Sequence, residues 1–187
     1  MLEQMGKSML NNLVEFFRTA GSLKRIPRSG WVEAGVDSSE SVADHTFRTA
    51  ILCMAVSDLE DLDGLKMLRM ALLHDLPEAI TGDLTPLEKS EEATEREGAA
   101  MKQLLNLLPE KLQEGYVKLW FEYKEGKTKE ARAVRELEKL EMALQAREYE
   151  KAQPALKGLE RFVESADRAI ASPRIRSLFS HILNSDC

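Results

Sequence analysis

Met67-Leu68-Arg69-Met70-Ala71-Leu72-Leu73-His74-Asp75-Leu76-Pro77-Glu78-Ala79-Ile80-Thr81-Gly82-Asp83 joins an apolar run to a cluster of ionisable groups. The apolar run reads as a buried helix. A charge at the end of such a helix must be paired, protonated or bound to a metal, because a low-dielectric site leaves an isolated ion unsolvated. From His74 to Asp83 the chain supplies one imidazole and three carboxylates. If the helix continues through the cluster, His74 and Glu78 share a face, and Asp75 stands roughly 100° round from His74. Pro77 is compatible with a helix's first turn or with a kink. Gly82 then turns the chain and leaves Asp83 on a loop at the same end. Taken alone, a His-Asp pair also reads as a helix-end salt bridge, so the rest of the chain has to decide.

Outward from this stretch the chain reads as helix. Period-2 alternation is rare, and the good helix formers Leu, Ala, Glu, Lys and Met dominate. Residues 7–20 form an amphipathic helix that Gly21 caps. Residues 22–40 form a long connection with Pro27, Gly30 and Gly35, carrying Lys24, Arg25, Arg28 and Trp31; connections of this length are often functional. Ser41-Val42-Ala43-Asp44 reads as a helix start with a capping box, which puts His45 in the first turn of a helix reaching about Ser57. Residues 64–79 make the next helix, and Pro86 follows the acidic loop. Further helices are expected over 88–106, from Pro109 to about Tyr123, over 128–150, over 156–170 and from Pro173 to about Asn184, with breaks at Glu125-Gly126 and Pro154. No repeat is present. The expectation is one all-α domain over residues 1–187, with residues 151–187 as C-terminal helices.

With 187 residues the chain is long enough for a real core. Its net charge of −6 argues against binding a nucleic acid polymer, which needs a basic surface, but leaves room for a small phosphorylated ligand. No apolar stretch approaches the 18 or so residues of a membrane span, and the N-terminus has no signal-peptide pattern. Cys53 and Cys187 form no CxxC motif, and Cys53 reads as a core thiol. The expectation is a cytoplasmic protein with reduced cysteines.

Two of the three histidines, His45 and His74, stand at expected helix ends beside Asp44 and Asp75, whereas His181 reads as a surface residue. On the helix over 128–150, Glu138, Glu141 and Gln145 fall inside the apolar arc marked by Val134, Leu137, Leu140, Met142, Leu144 and Tyr149. Acids facing a core need compensation; the alternative is that they reach solvent at the edge of the arc. Two histidines and two carboxylates from separate helices make a mixed nitrogen and oxygen site. It suits Mn²⁺, Co²⁺, Ni²⁺, Fe²⁺ or Zn²⁺ better than Mg²⁺. Such an ion lowers the pKa of its water and polarises a phosphoryl group. Hydrolysis also needs a group to position water or protonate the leaving oxygen, and Glu78 and Asp83 are the nearest candidates. Arg25 or Arg28 could neutralise a phosphate. Trp31 could stack on a base or sugar, or simply pack the long loop.

The order His45, then His74-Asp75, then an acid on a later helix resembles the HD-domain metal-dependent phosphohydrolases. The wider blocks Leu23-Lys24-Arg25-Ile26-Pro27-Arg28-Ser29-Gly30-Trp31, Glu40-Ser41-Val42-Ala43-Asp44-His45, His74-Asp75-x-x-Glu78-x-x-x-Gly82-Asp83 and Leu140-Glu141-Met142-x-Leu144-Gln145-Ala146-x-Glu148-Tyr149-Glu150 resemble the branch containing 5′-deoxynucleotidases, over residues 8–150. The resemblance implies an HD-type helical bundle, a divalent metal, a homodimer and hydrolysis of 2′-deoxynucleoside 5′-monophosphates, a small-molecule nucleotide substrate. By position it implies His45, His74, Asp75 and Glu138 as metal ligands, Glu78 and Asp83 as the catalytic pair, and Arg28 and Trp31 in a substrate loop, with Arg25 as a rival for the phosphate. Glu138 stands where the family usually has Asp. The sequence is also compatible with three alternatives: an HD-type hydrolase of a cyclic nucleotide, triphosphate or other phosphoester; a non-catalytic metal- or nucleotide-binding module; and a helical interaction protein whose His-Asp pairs are salt bridges. The apolar residues of 155–183 would allow the C-terminal helices to pack against a partner.

Overall fold

The computed structural model describes residues 6–85, 88 and 90–184; Pro86 and Cys187 lie outside them. Ten α-helices occur among the described residues, and no sheet, in agreement with the all-α reading. They are α1 (Lys7–Ser22), α2 (Ser29–Glu33), α3 (Val42–Glu60), α4 (Gly64–Leu73), α5 (Glu78–Thr81), α6 (Glu91–Leu105), α7 (Glu110–Glu125), α8 (Lys129–Ala152), α9 (Glu160–Ala169) and α10 (Pro173–Asn184).

Start and stop signals account for most of these limits. Ser41 and Asp44 form the expected capping box, which fixes the first turn of α3. Asp63, Ser90 and Thr128 each accept a backbone N–H at the start of α4, α6 and α8. Gly126 takes the left-handed conformation that ends α7, with φ 64°. Other expectations shift. Gly21 lies inside α1, which runs on to Ser22 and into a 3₁₀ turn at Leu23–Arg25. The connection over 22–40 also contains α2, and it is tied down by Arg28 N–H to Glu40 O (3.0 Å) and Val42 N–H to Ile26 O (2.9 Å).

The largest difference is at the centre. The helix expected over 64–79 is two helices with a turn between them. Pro77 has no N–H to donate to Leu73, so the chain tightens into three-residue steps: Leu76 N–H to Leu73 O (3.2 Å) and Glu78 N–H to Asp75 O (3.0 Å). The His74 carbonyl, left without a helical partner, accepts the Trp120 indole N–H of α7 at 3.3 Å.

Two hydrophobic clusters meet at this break. One gathers Trp31, Cys53, Met67, Met70 and Ala71 with Val134 and Leu137 of α8. The other gathers Leu23, Val42, Leu73 and Leu76 with Met101 and Trp120. α4 thus supplies one cluster with its middle turns and the other with its end, and His74 comes at the hand-over. On α8, the buried Ala131, Ala143 and Ala146 let neighbouring helices approach closely. The apolar residues of 155–183 divide between core and surface, with Leu178 40 % exposed. Leu159, Val163, Ile170, Ile175 and Phe179 are buried in the chain's own core.

Candidate metal centre

The capping box puts His45 in the first turn of α3 with its ring only 2 % exposed. The break after α4 puts His74, 1 % exposed, and Asp75 directly opposite. His45 Nε2 and His74 Nε2 are 3.4 Å apart. Asp75 Oδ2 lies 3.1 Å from His74 Nε2 and 3.8 Å from His45 Nε2.

Hydrogen bonds on the far sides of both rings decide what these atoms are. His74 Nδ1 is 2.6 Å from the Ala71 carbonyl, which can only accept, so Nδ1 carries a proton. His45 Nδ1 meets the Glu141 carboxylate, which likewise accepts. In the neutral rings both Nε2 atoms are therefore lone pairs, facing each other and a carboxylate oxygen. Asp75 Oδ2 accepts Arg28 Nη1–H at 3.2 Å, but the two Nε2 lone pairs face each other and that carboxylate with no donor between them, an arrangement that a proton or a metal ion would relieve. Burial disfavours a charged His74, yet the Asp75 carboxylate outweighs it and raises the His74 pKa above its usual value. Burial likewise pushes Asp75 upward, and His74, Arg28 and His45 overturn this and hold it well below the carboxylate range. Donors about 2.1 Å from a common ion stand roughly 3.0–3.4 Å apart at octahedral or tetrahedral angles. The observed separations fit such an ion after a shift of a few tenths of an ångström at His45.

The cluster opens onto a cavity of about 450 Å³, within the range of small-molecule sites. Glu78, Asp83, Arg28, Tyr123 and Glu138 also line it. Arg28 Nη1 is 3.2 Å from Asp75, 3.1 Å from Asp83 and 4.0 Å from Glu78. Burial opposes the Arg28 charge, and these acids more than restore it. Asp83 also accepts the Ser29 N–H at 2.5 Å, while Ser29 Oγ donates to the Asp83 carbonyl at 2.8 Å. Asp83 thereby ties the arginine loop to the loop after α5.

Glu138 lines the same cavity but is not among the three donors that lie within 4.8 Å of one another. Its carboxylate accepts the Tyr123 hydroxyl and lies 3.1 Å from Lys139 Nζ. Against burial, Lys139, His74 and Tyr123 hold its pKa at about 2. Trp31 is 2 % exposed, with Tyr149 and Phe162 rings at 5.3 and 4.0 Å. Its indole N–H donates to Glu40 at 2.8 Å. It supports the wall of the cavity and presents no free face for stacking. Arg25 is exposed and is not among the residues lining the cavity. His181 is at the surface.

The inward acids expected on α8 are there, since Glu141 is 0 % exposed and Glu138 faces the cavity. Arg48 and Tyr123 were not anticipated. Arg48 had a signal, because it follows His45 by three residues and so shares its face of α3. Tyr123 had none, being one aromatic on an amphipathic helix.

The helical bundle brings two imidazoles and an aspartate together at the end of a cavity, a donor set that could hold a metal ion. The chain belongs to the HD-domain family, whose profile matches residues 20–176. The 5′-deoxynucleotidase HDDC2 of Bos taurus is 42 % identical over 173 residues, covering 91 % of this chain and 84 % of that protein. Among solved structures, a conserved hypothetical protein from Pyrococcus furiosus is 32 % identical with a TM-score of 0.77, covering 92 % of this chain and 99 % of that one. A predicted metal-dependent phosphohydrolase from Magnetospirillum magnetotacticum is 25 % identical with a TM-score of 0.70, covering 95 % of this chain and 96 % of that one.

Metal-stripped protein should take up one equivalent of Mn²⁺ or Zn²⁺ per chain in a calorimetric titration. His74→Ala and Asp75→Ala should each weaken uptake by more than about 100-fold, since even residues behind a metal ligand are worth 10–100-fold. Full affinity in either variant would remove that residue from the donor set.

Proposed function

We propose that this protein is a divalent-metal-dependent phosphomonoesterase that hydrolyses 2′-deoxynucleoside 5′-monophosphates to the deoxynucleoside and phosphate. The observation that carries the chemistry is the convergence of three acceptors, His45 Nε2, His74 Nε2 and Asp75 Oδ2, at the end of a cavity of nucleotide size. The 5′-deoxynucleotidase relatives, alike over most of the chain, supply the substrate class.

In this reading His45, His74 and Asp75 would hold the ion, with Glu138, whose carboxylate accepts the Tyr123 hydroxyl, as a fourth ligand. When bound, the ion would supply Lewis acidity to activate water and polarise the phosphoryl group. Glu78 takes a proton from the attacking water or gives one to the departing 5′-oxygen; its place on the cavity wall beside Arg28 supports this role. Arg28 binds the non-bridging phosphate oxygens, and Asp83 acts by holding Arg28 and its loop in position. Trp31 shapes the loop from behind, and Arg25 takes no part.

Charge sets an order of binding. Asp75, Glu78, Asp83 and Glu138 outnumber Arg28 and Lys139 around the cluster, so a phosphate dianion is repelled until a divalent cation is bound. The ion should be Mn²⁺, Co²⁺, Ni²⁺, Fe²⁺ or Zn²⁺. The compartment we infer is the cytoplasm, since the buried Cys53 is an unpaired thiol; no described helix is long and apolar enough to cross a membrane. We also infer a homodimer. Phe47, Ile51 and Met54 share one face of α3 and are 68, 44 and 49 % exposed, a surface suited to a second copy.

Stripped protein should neither bind a deoxynucleoside 5′-monophosphate nor release phosphate from it, and added Mn²⁺ or Co²⁺ should restore both. Across a panel of ribonucleotides, 3′-isomers, cyclic nucleotides and triphosphates, release should be confined to the deoxy 5′-monophosphates. Release from other esters alone would discard the substrate assignment. Glu78→Ala should keep the metal and lose about 10²–10⁴-fold in rate. Phe47→Glu should convert a dimer to a monomer in sedimentation without changing metal uptake; an unchanged sedimentation coefficient would contradict the α3 interface.

A further inference from the structure

We propose that Glu141 is a positioning residue for the metal centre: it fixes the protonated face of His45, so that the opposite nitrogen presents a lone pair to the ion, and Arg48 locks it in that task. The inference rests on the reading of His45 as a metal ligand and goes beyond it, to the residues behind the ligand.

His45 belongs to two groups of donors close enough to hold an ion. One is His45, His74 and Asp75; the other is Glu40, His45 and Glu141. The imidazole cannot serve both as a neutral ligand, because one nitrogen must carry a proton. The contacts around the second group settle which side is which. Glu141 Oε1 already has positive charge beside it, accepting Arg48 Nε–H at 2.9 Å. Glu40 Oε1 accepts the Trp31 indole N–H at 2.8 Å. A cation there would share Glu141 with a guanidinium that already neutralises its charge. The Nδ1 side of His45 is therefore the proton's side, and the Nε2 side, 3.4 Å from His74 Nε2, is the ion's.

Glu141 is held with little freedom. Its side chain is completely buried, and a buried carboxylate is tolerated only with close partners. Arg48 supplies more than one contact to α8: its Nη1 donates to both oxygens of Glu148 at 2.9 and 2.8 Å, and its Nη2 donates to Gln145 Oε1 at 2.5 Å. Glu141, Gln145 and Glu148 lie at i, i+4 and i+7, one stripe of α8, and a single guanidinium from α3 spans it. His45 and Arg48, three residues apart on α3, grip that stripe together. A carboxylate behind a metal-bound histidine orients the ring and makes it a better ligand.

The test compares Zn²⁺ affinity, by competition with a chelator, in full-length wild type, Glu141→Gln and Glu148→Ala. Long-range ¹H–¹⁵N spectra of the Zn²⁺-loaded wild type read the His45 tautomer without any substitution. The proposal expects a proton on His45 Nδ1 with Nε2 on the metal. It expects Glu141→Gln to weaken Zn²⁺ by 10–100-fold with helical circular dichroism retained. Glu148→Ala loosens the strut between α3 and α8 but leaves Glu141 in place, and should change affinity by less than about threefold. Equal losses in the two variants would assign Glu141 a merely structural role and overturn the proposal. So would unchanged affinity in Glu141→Gln, or a proton on Nε2 in the wild type. Failure of the wild type to bind Zn²⁺ would overturn the metal reading itself, and this inference with it.

Discussion

Three hydrogen-bond acceptors facing one another inside a protein are the constraint on which the rest of this structure depends. His45 Nε2, His74 Nε2 and Asp75 Oδ2 converge within 3.8 Å. Each imidazole is turned so that its proton points away, one toward the Ala71 carbonyl and the other toward Glu141. Arg28 brings positive charge to Asp75 from one side, and the two Nε2 lone pairs favour a further positive charge between them. A proton on His74 can supply that charge, and the Asp75 carboxylate favours it by raising the His74 pKa above its usual value. A divalent ion supplies it better, with positions left for ligands from the cavity.

The helices around the cluster answer to this requirement. α3 begins with a full capping box, so the first turn that carries His45 does not fray. α4 must end where it does, because Pro77 removes the bond that would carry the helix onward, and Trp120 takes up the carbonyl this exposes. α8 faces the cluster twice, through Glu138 at the cavity and Glu141 behind His45. Asp83 closes the far side by drawing Arg28 and Ser29 toward Asp75. Each of these polar contacts compensates a group whose burial alone would be unfavourable.

Much of this was legible in the sequence, for identifiable reasons. A capping box is a local signal that survives tertiary packing, so the start of α3 and the place of His45 could be read from Ser41 and Asp44. Acids inside an apolar arc violate the cost of burial, so Glu138 and Glu141 announced a polar interior to α8. The break after Leu73 was harder. Pro77 allows either a kinked helix or a new start, and only the partner offered by Trp120, 46 residues away, selects the break. Trp31 illustrates the opposite limit. An aromatic in a loop beside an arginine suits stacking as well as packing, and the Phe162 and Tyr149 rings that cover it come from distant helices. The C-terminal apolar residues were visible, but whether they face a partner or their own core depends on the fold of the other helices. Arg25 and Arg28 are indistinguishable by type; a turn of 3₁₀ helix sends one outward and the other into the cavity.

The most direct measurement is the anomalous difference map of crystals soaked in Mn²⁺. The account predicts one strong peak per chain, about 2.1–2.3 Å from His45 Nε2, His74 Nε2 and an Asp75 carboxylate oxygen. A peak on the other side of the ring, among His45 Nδ1, Glu40 and Glu141, or no peak between the two histidines, would contradict it.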